Sequence, residues 1–230
     1  MFFNIYDILL VLPAMLISFY AQYKVQSTFK RNLELRGERG FTGADVARRM
    51  LDENGLMDVE VQPVEGFLSD HYDPSKKVVN LSNEVFYGNS VASLGVAAHE
   101  VGHAVQHSKN YLPLSLRASL VPIANFGSWL AMPLILLGVF IKASGLILFG
   151  VIAFSLAVAF QIVTLPVEFN ASRRALATLS SNGFISEREY GPTKKVLSAA
   201  ALTYVAAAAV AIAQLLSMIL SLLGTSGEDT

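Results

Sequence analysis

The chain of 230 residues contains no cysteine, which removes disulfides, thiolate metal clusters and cysteine nucleophiles from consideration. Charge is scarce as well. Asp, Glu, Lys and Arg make up 15% of the residues, against about a quarter in an ordinary soluble domain. A net charge of −1 argues against a nucleic-acid binder, which would show a basic face. The scarcity is also uneven. No Asp, Glu, Lys, Arg or His occurs from Ala118 to Ile141, from Ala143 to Val167 or from Val196 to Gly227. Each run exceeds the ~20 residues that cross a hydrocarbon core. With apolar residues at 53%, the chain reads as an α-rich integral membrane protein.

A further apolar segment runs from Phe2 to about Tyr23, interrupted by Asp7. It lacks the basic leader and small-residue cleavage site of a signal peptide, so it reads as a membrane anchor. The expected organisation has transmembrane helices over 1–23, 118–141, 142–165 and 197–223. Polar segments cover 24–117 and 166–196, and a tail covers 224–230. Eleven of the 17 Lys and Arg lie in 24–117 and five in 166–196, leaving only Lys142 for the opposite face. The positive-inside rule then puts both polar segments in the cytoplasm and both termini outside, in a multi-pass protein of the cell (inner) membrane in contact with the lipid bilayer.

Within 24–117, Thr42 opens a helix over about 43–53 that stops at Asn54-Gly55. Val59–Val61 and Lys77–Leu81 have strand composition, with turn chemistry at Asp73-Pro74-Ser75 between them. Ser90 begins a helix over 90–108. Pro166 suits the first turn of a separate helix over about 166–179, followed by a looser hydrophilic connection to the fourth span.

Helix 90–108 carries His99-Glu100-Val101-Gly102-His103, an H-E-x-x-H sequence. Histidines at i and i+4 stack on one helix face, so two imidazoles reach one zinc with the Glu beside its water. A histidine pair can also serve packing in an amphipathic helix. Here, however, three of the chain's four histidines fall within nine residues, in a segment otherwise rich in Val, Ala, Gly and Leu. A catalytic zinc takes three protein ligands. His107 lies eight positions after His99, about 12 Å along a straight helix, and reads as a packing or supporting residue. Carboxylates remain. Glu168, just past the third apolar run, is the leading candidate, with Glu187 and Glu189 as alternatives.

Several segments together resemble a known family. Asp70–Pro74, Leu81-Ser82, Ser90–Ala92, Ala97–Ala104, Leu165–Ser172 and Ala200–Ala207 are similar to the YugP-type neutral zinc metallopeptidases of bacterial membranes, in the same order and over about residues 3–223. The resemblance implies a membrane-bound zinc peptidase with His99, His103 and Glu168 as ligands, Glu100 as base, and one catalytic Zn2+ per protomer. Glu168-Phe169-Asn170-Ala171 is also similar to the E-x-x-A-D box of HtpX-like membrane proteases. Ser172 replaces that box's Asp, so the supporting role of the Asp does not carry over.

The expected architecture is four transmembrane helices with a small cytoplasmic α+β zincin-like head, gluzincin-like in its two His and one Glu. Glu100 acts as general base toward zinc-activated water and then as acid toward the leaving amine. For the oxyanion, His71, Tyr72 and Tyr204 are candidate donors, His71 preferred; His71 also reads as a plain surface-loop residue. Asn170, with His107 and Tyr204, is a candidate supporting or substrate-contacting residue. Lys77–Leu81 is read as the edge strand to which an extended peptide pairs. The expected substrate is a peptide or membrane protein cut at the membrane–cytosol boundary. An intramembrane protease of the Asp-Gly type does not fit, because the chain contains no Asp-Gly dipeptide. The alternative from another class is a non-catalytic membrane scaffold or quality-control partner with a vestigial or structural zinc site. The sequence says nothing of oligomeric state.

Overall fold

The computed structural model describes residues 5–226. They divide into two compact units. The first holds residues up to Gln22, Ser115–Pro166 and those from Thr203 on. The second holds Tyr23–Leu114 and Val167–Leu202.

Helices build the first unit. A π-helical turn, Asp7–Val11, leads into α1 (Leu12–Leu33). Three longer helices follow later in the chain: α5 (Leu112–Phe140), α6 (Ser144–Ser181) and α7 (Glu187–Ser226). These four are long and apolar enough to cross a membrane. Inside the unit, Gly127, Gly138 and Gly150 bring α5 and α6 into backbone contact: a Cβ on Gly127 would lie 2.5 Å from the Ala153 carbonyl oxygen. Ser217 on α7 donates to the Asp7 carboxylate at 2.5 Å, giving the one acid of the first apolar segment a partner.

α6 and α7 differ from the sequence reading. The expected separate helix starting at Pro166 does not exist, because α6 runs through Pro166 without a break. α7 likewise starts at Glu187, with Pro192 inside it, where a loose connection was expected. A proline costs an interior helix one backbone hydrogen bond and crowds the carbonyl four residues earlier. That local penalty is outweighed when packing on both sides of the proline favours helix. Here Val167, Ala171 and Ala175 beyond Pro166 are all fully buried.

The second unit is α+β. α2 (Gly43–Glu53) begins with a capping box: Thr42 Oγ1 accepts from Asp45 N, and the Asp45 carboxylate accepts from Thr42 N. Three strands follow, β1 (Glu60–Val64), β2 (His71–Asp73) and β3 (Val78–Ser82). A short α3 (Asn83–Phe86) leads to α4 (Val91–Ser108). Ser90 caps α4 by accepting from Ser93 N at 3.0 Å.

The sheet order is β1-β3-β2, with β1 parallel and β2 antiparallel to β3. β3 is therefore the central strand, which corrects its expected place at the edge. The burial of Val78, Val79 and Leu81 explains why: a strand apolar on both faces is covered on both. β2 went unread because three residues with only Tyr72 as a strand former carry no periodic signal. The core joins α2, β3 and α4 to the part of α6 beyond Pro166 and the start of α7. Phe29, Leu51, Leu81, Leu94, Val101 and Leu179 are among its buried members.

Candidate metal centre

α4 places His99 and His103 one turn apart, and their rings meet edge to face with centroids 4.7 Å apart. α6 supplies Glu168. Its Oε2 lies 3.3 Å from His99 Nε2 and 3.5 Å from His103 Nε2. The three ligand atoms sit within 4.8 Å of one another. Exposure is 12% for each histidine side chain and 3% for the carboxylate, so water does little to screen the three donors from one another. Gly102 makes this approach of helices feasible, since a Cβ there would stand 3.0 Å from the Ala171 carbonyl oxygen.

The far nitrogen of each imidazole also has a partner. Ser172 Oγ lies 3.1 Å from His99 Nδ1, so a hydroxyl stands at the position that the E-x-x-A-D box gives to Asp. Gln106 Oε1 lies 3.1 Å from His103 Nδ1. Gln106 belongs to none of the motifs, although three residues after His103 is a spacing that shares a helix face. Metal-bound histidines ordinarily have the outer nitrogen held in this way. Burial opposes charge on His103, but its hydrogen bond with Glu168 and the nearby Glu100 and Glu168 carboxylates together raise its pKa. Two imidazoles and a carboxylate converging through their lone pairs form a donor set suited to zinc.

Glu100 is buried on α4, and its negative charge is felt at both His103 and Asp70. Asp70 opens the Asp70–Pro74 segment that carries part of the family resemblance. Its carboxylate accepts from Ser82 N at 2.7 Å and from Ser82 Oγ at 3.1 Å. Burial, with the Glu100 charge adding to it, pushes its pKa up to about 6 despite those hydrogen bonds.

The remaining candidates are not among the three clustered ligand groups. His71 is exposed on β2. Its Nδ1 meets the Ser69 carbonyl oxygen at 2.8 Å and must donate; its Nε2 lies 3.2 Å from Asn80 Nδ2 and must accept. A neutral ring so engaged has no N–H left for an oxyanion. Tyr72 OH lies 2.9 Å from His107 Nδ1, which gives His107 a partner on β2. Glu187 is exposed at the start of α7. The buried Glu189 accepts from Glu38 N and Ser186 N at 2.8 and 2.6 Å. Tyr204 is half-buried in the first unit. Asn170 Oδ1 accepts from Gln106 Nε2 at 3.0 Å and from Arg174 Nε at 2.7 Å.

The chain belongs to the family described as "Putative neutral zinc metallopeptidase", which matches residues 7–223. Among its relatives is the "Putative membrane protease YugP" of Bacillus subtilis (strain 168). The two are 50% identical over 222 residues, which cover 96% of this chain and 99% of the relative. No solved structure matches the chain.

Proposed function

We propose that this protein is a membrane-bound zinc metalloendopeptidase that cuts peptide bonds at the membrane–cytosol boundary. The convergence of His99 and His103 with Glu168, beside Glu100 on the same helix, is the observation that carries this reading. His99, His103 and Glu168 would hold the ion in a gluzincin-like arrangement. Bound zinc supplies a Lewis acid that polarises the scissile carbonyl and makes water acidic enough to attack near neutral pH. Glu100 then takes the proton of the attacking water and delivers it to the leaving amine. β2, an edge of the sheet, replaces β3 as the strand an extended substrate pairs with. Tyr72 replaces His71 as the preferred oxyanion donor, because a phenol that accepts from His107 Nδ1–H keeps its own hydrogen to donate, whereas both nitrogens of His71 are engaged.

The boundary location is supported by charge. Glu168 directly follows the uncharged run 143–167, and Lys and Arg concentrate in 24–117 and 166–196. On this reading the second unit is a cytoplasmic zincin-like head and both termini lie outside; a reporter fused to the C-terminus that reads cytoplasmic would break that topology.

Zinc per protomer in detergent-purified protein tests the site. Wild type is expected to hold about one ion, and Glu168→Ala to lose it as His99→Ala does. Full occupancy in Glu168→Ala would remove Glu168 from the ligand set. Glu100→Gln is expected to keep zinc while activity falls by about 10²- to 10⁴-fold. Wild type that stays free of zinc after incubation with the metal would sink the reading.

A further inference from the structure

Hydrogen positions around His103 are dictated by its neighbours. Arg174 can only donate. Its Nε lies 2.7 Å from one side-chain atom of Asn170, so that atom is the amide oxygen. Gln106 is fully buried. One of its side-chain atoms lies 3.0 Å from the Asn170 oxygen and 2.9 Å from the Val167 carbonyl oxygen. Both neighbours are acceptors, so this atom is the amide nitrogen. The other atom of the carboxamide, its oxygen, is thereby turned toward His103 Nδ1 at 3.1 Å. An acceptor there requires the hydrogen on Nδ1. In the neutral ring Nε2 is then left with its lone pair, facing Glu168 Oε2 at 3.5 Å. No such constraint acts on His99, because the Ser172 hydroxyl can donate or accept.

We infer that Gln106, pinned by Val167, Asn170 and Arg174, is a positioning residue that fixes His103 in the tautomer able to bind zinc and so sets the metal affinity of the site. The inference rests on the zinc reading above. Gln106 has a second consequence of the same kind. By donating to the Val167 carbonyl it ties the α4 turn that carries His103 to the α6 turn that carries Glu168. One side chain thus controls both the protonation pattern of one ligand and its spacing from another. Outer-shell partners of this type typically contribute 10- to 100-fold in metal affinity.

Zinc affinity by competition with a chromogenic chelator tests this on the full chain in detergent. Apo-protein melting temperature is measured beside it. Gln106→Met keeps the volume and removes all three hydrogen bonds, and its zinc Kd is expected to rise by about 10- to 100-fold. Asn170→Leu and Arg174→Met release the pin from one side only and are expected to weaken zinc less. Asn170→Asp still offers an oxygen to both Arg174 and Gln106, so its zinc affinity is expected to stay at wild type. Rescue by Asp but not Leu separates hydrogen bonding from packing, and it decides the matter if Gln106→Met does not fold.

Wild-type affinity in Gln106→Met, or equal losses in Asn170→Asp and Asn170→Leu, would overturn the inference while leaving the zinc reading intact. A wild-type protein that binds no zinc overturns both.

Discussion

The two units solve burial in opposite ways. In the second, the interior is made of large side chains: Phe29, Leu51, Leu81, Leu94 and Leu179 are at most 1% exposed. In the first, Ala124, Gly127, Ala131 and Gly138 are the buried positions of α5, and large apolar groups face out. Phe140 is 86% exposed, Trp129 71% and Phe149 65%. A water-facing surface of that kind would forfeit roughly 25 cal/mol per Å2 of apolar area. Against lipid the same groups lose nothing, so helix association must come from close packing, and small residues permit it. The inversion is the pattern that the proposed placement, lipid around the first unit and water around the second, requires.

The sharpest test of this contrast is one leucine in each unit. Leu51→Ala empties a fully buried site and is expected to destabilise the second unit by about 2–5 kcal/mol. Leu136→Ala, at a position half exposed on α5, is expected to change stability in detergent by no more than about 0.5 kcal/mol. Chemical denaturation of the two variants side by side checks both; similar costs would erase the distinction.

The converse substitution probes the small residues. Gly127→Leu forces a side chain into the Ala153 backbone and Leu156, and overpacking of this kind is expected to cost about 1–3 kcal/mol. A thermal scan in detergent should register it, whereas an unchanged transition would mean that α5 and α6 do not depend on the contact.

A smaller effect, confined to the second unit, follows from Asp70. Its folded pKa of about 6 stands above the ordinary 3.8, so protonation favours the folded state. That contribution is complete below about pH 4 and is lost as the pH rises through about 6. Asp70→Asn keeps an oxygen for Ser82 and removes the titration. Between pH 4 and 7 the variant should gain stability relative to wild type, which melting temperatures at both pH values would register; a constant difference would show that Asp70 does not titrate there.

Features set by neighbours along the chain were legible. The helix over 43–53 was readable because Thr42 and Asp45 cap each other locally, and the start of α4 because Ser90 does the same. The spacing of His99 and His103 needs only the helix pitch to put both on one face. The three uncharged runs, with the apolar segment 2–23, announced four spans for the same reason, since crossing length is a property of a contiguous segment.

What failed or stayed open depended on distant partners. Pro166 reads as a helix start when seen alone, and only the burial of Val167, Ala171 and Ala175 keeps α6 continuous. The sheet order that puts β3 in the middle is a pairing of separated segments, and no local signal encodes it. Glu168, Glu187 and Glu189 are equivalent as residue types. Glu168 joins the histidines because α6 crosses α4 where Gly102 lets the backbones close in, while Glu189 turns to the backbone of Glu38 and Ser186. The sequence by itself therefore determined which residues could bind a metal and which segments could enter a membrane, both consequences of composition and helical period. Tertiary structure alone decided which carboxylate meets the histidines and which way the Gln106 carboxamide faces, because both depend on contacts that span more than sixty residues of chain.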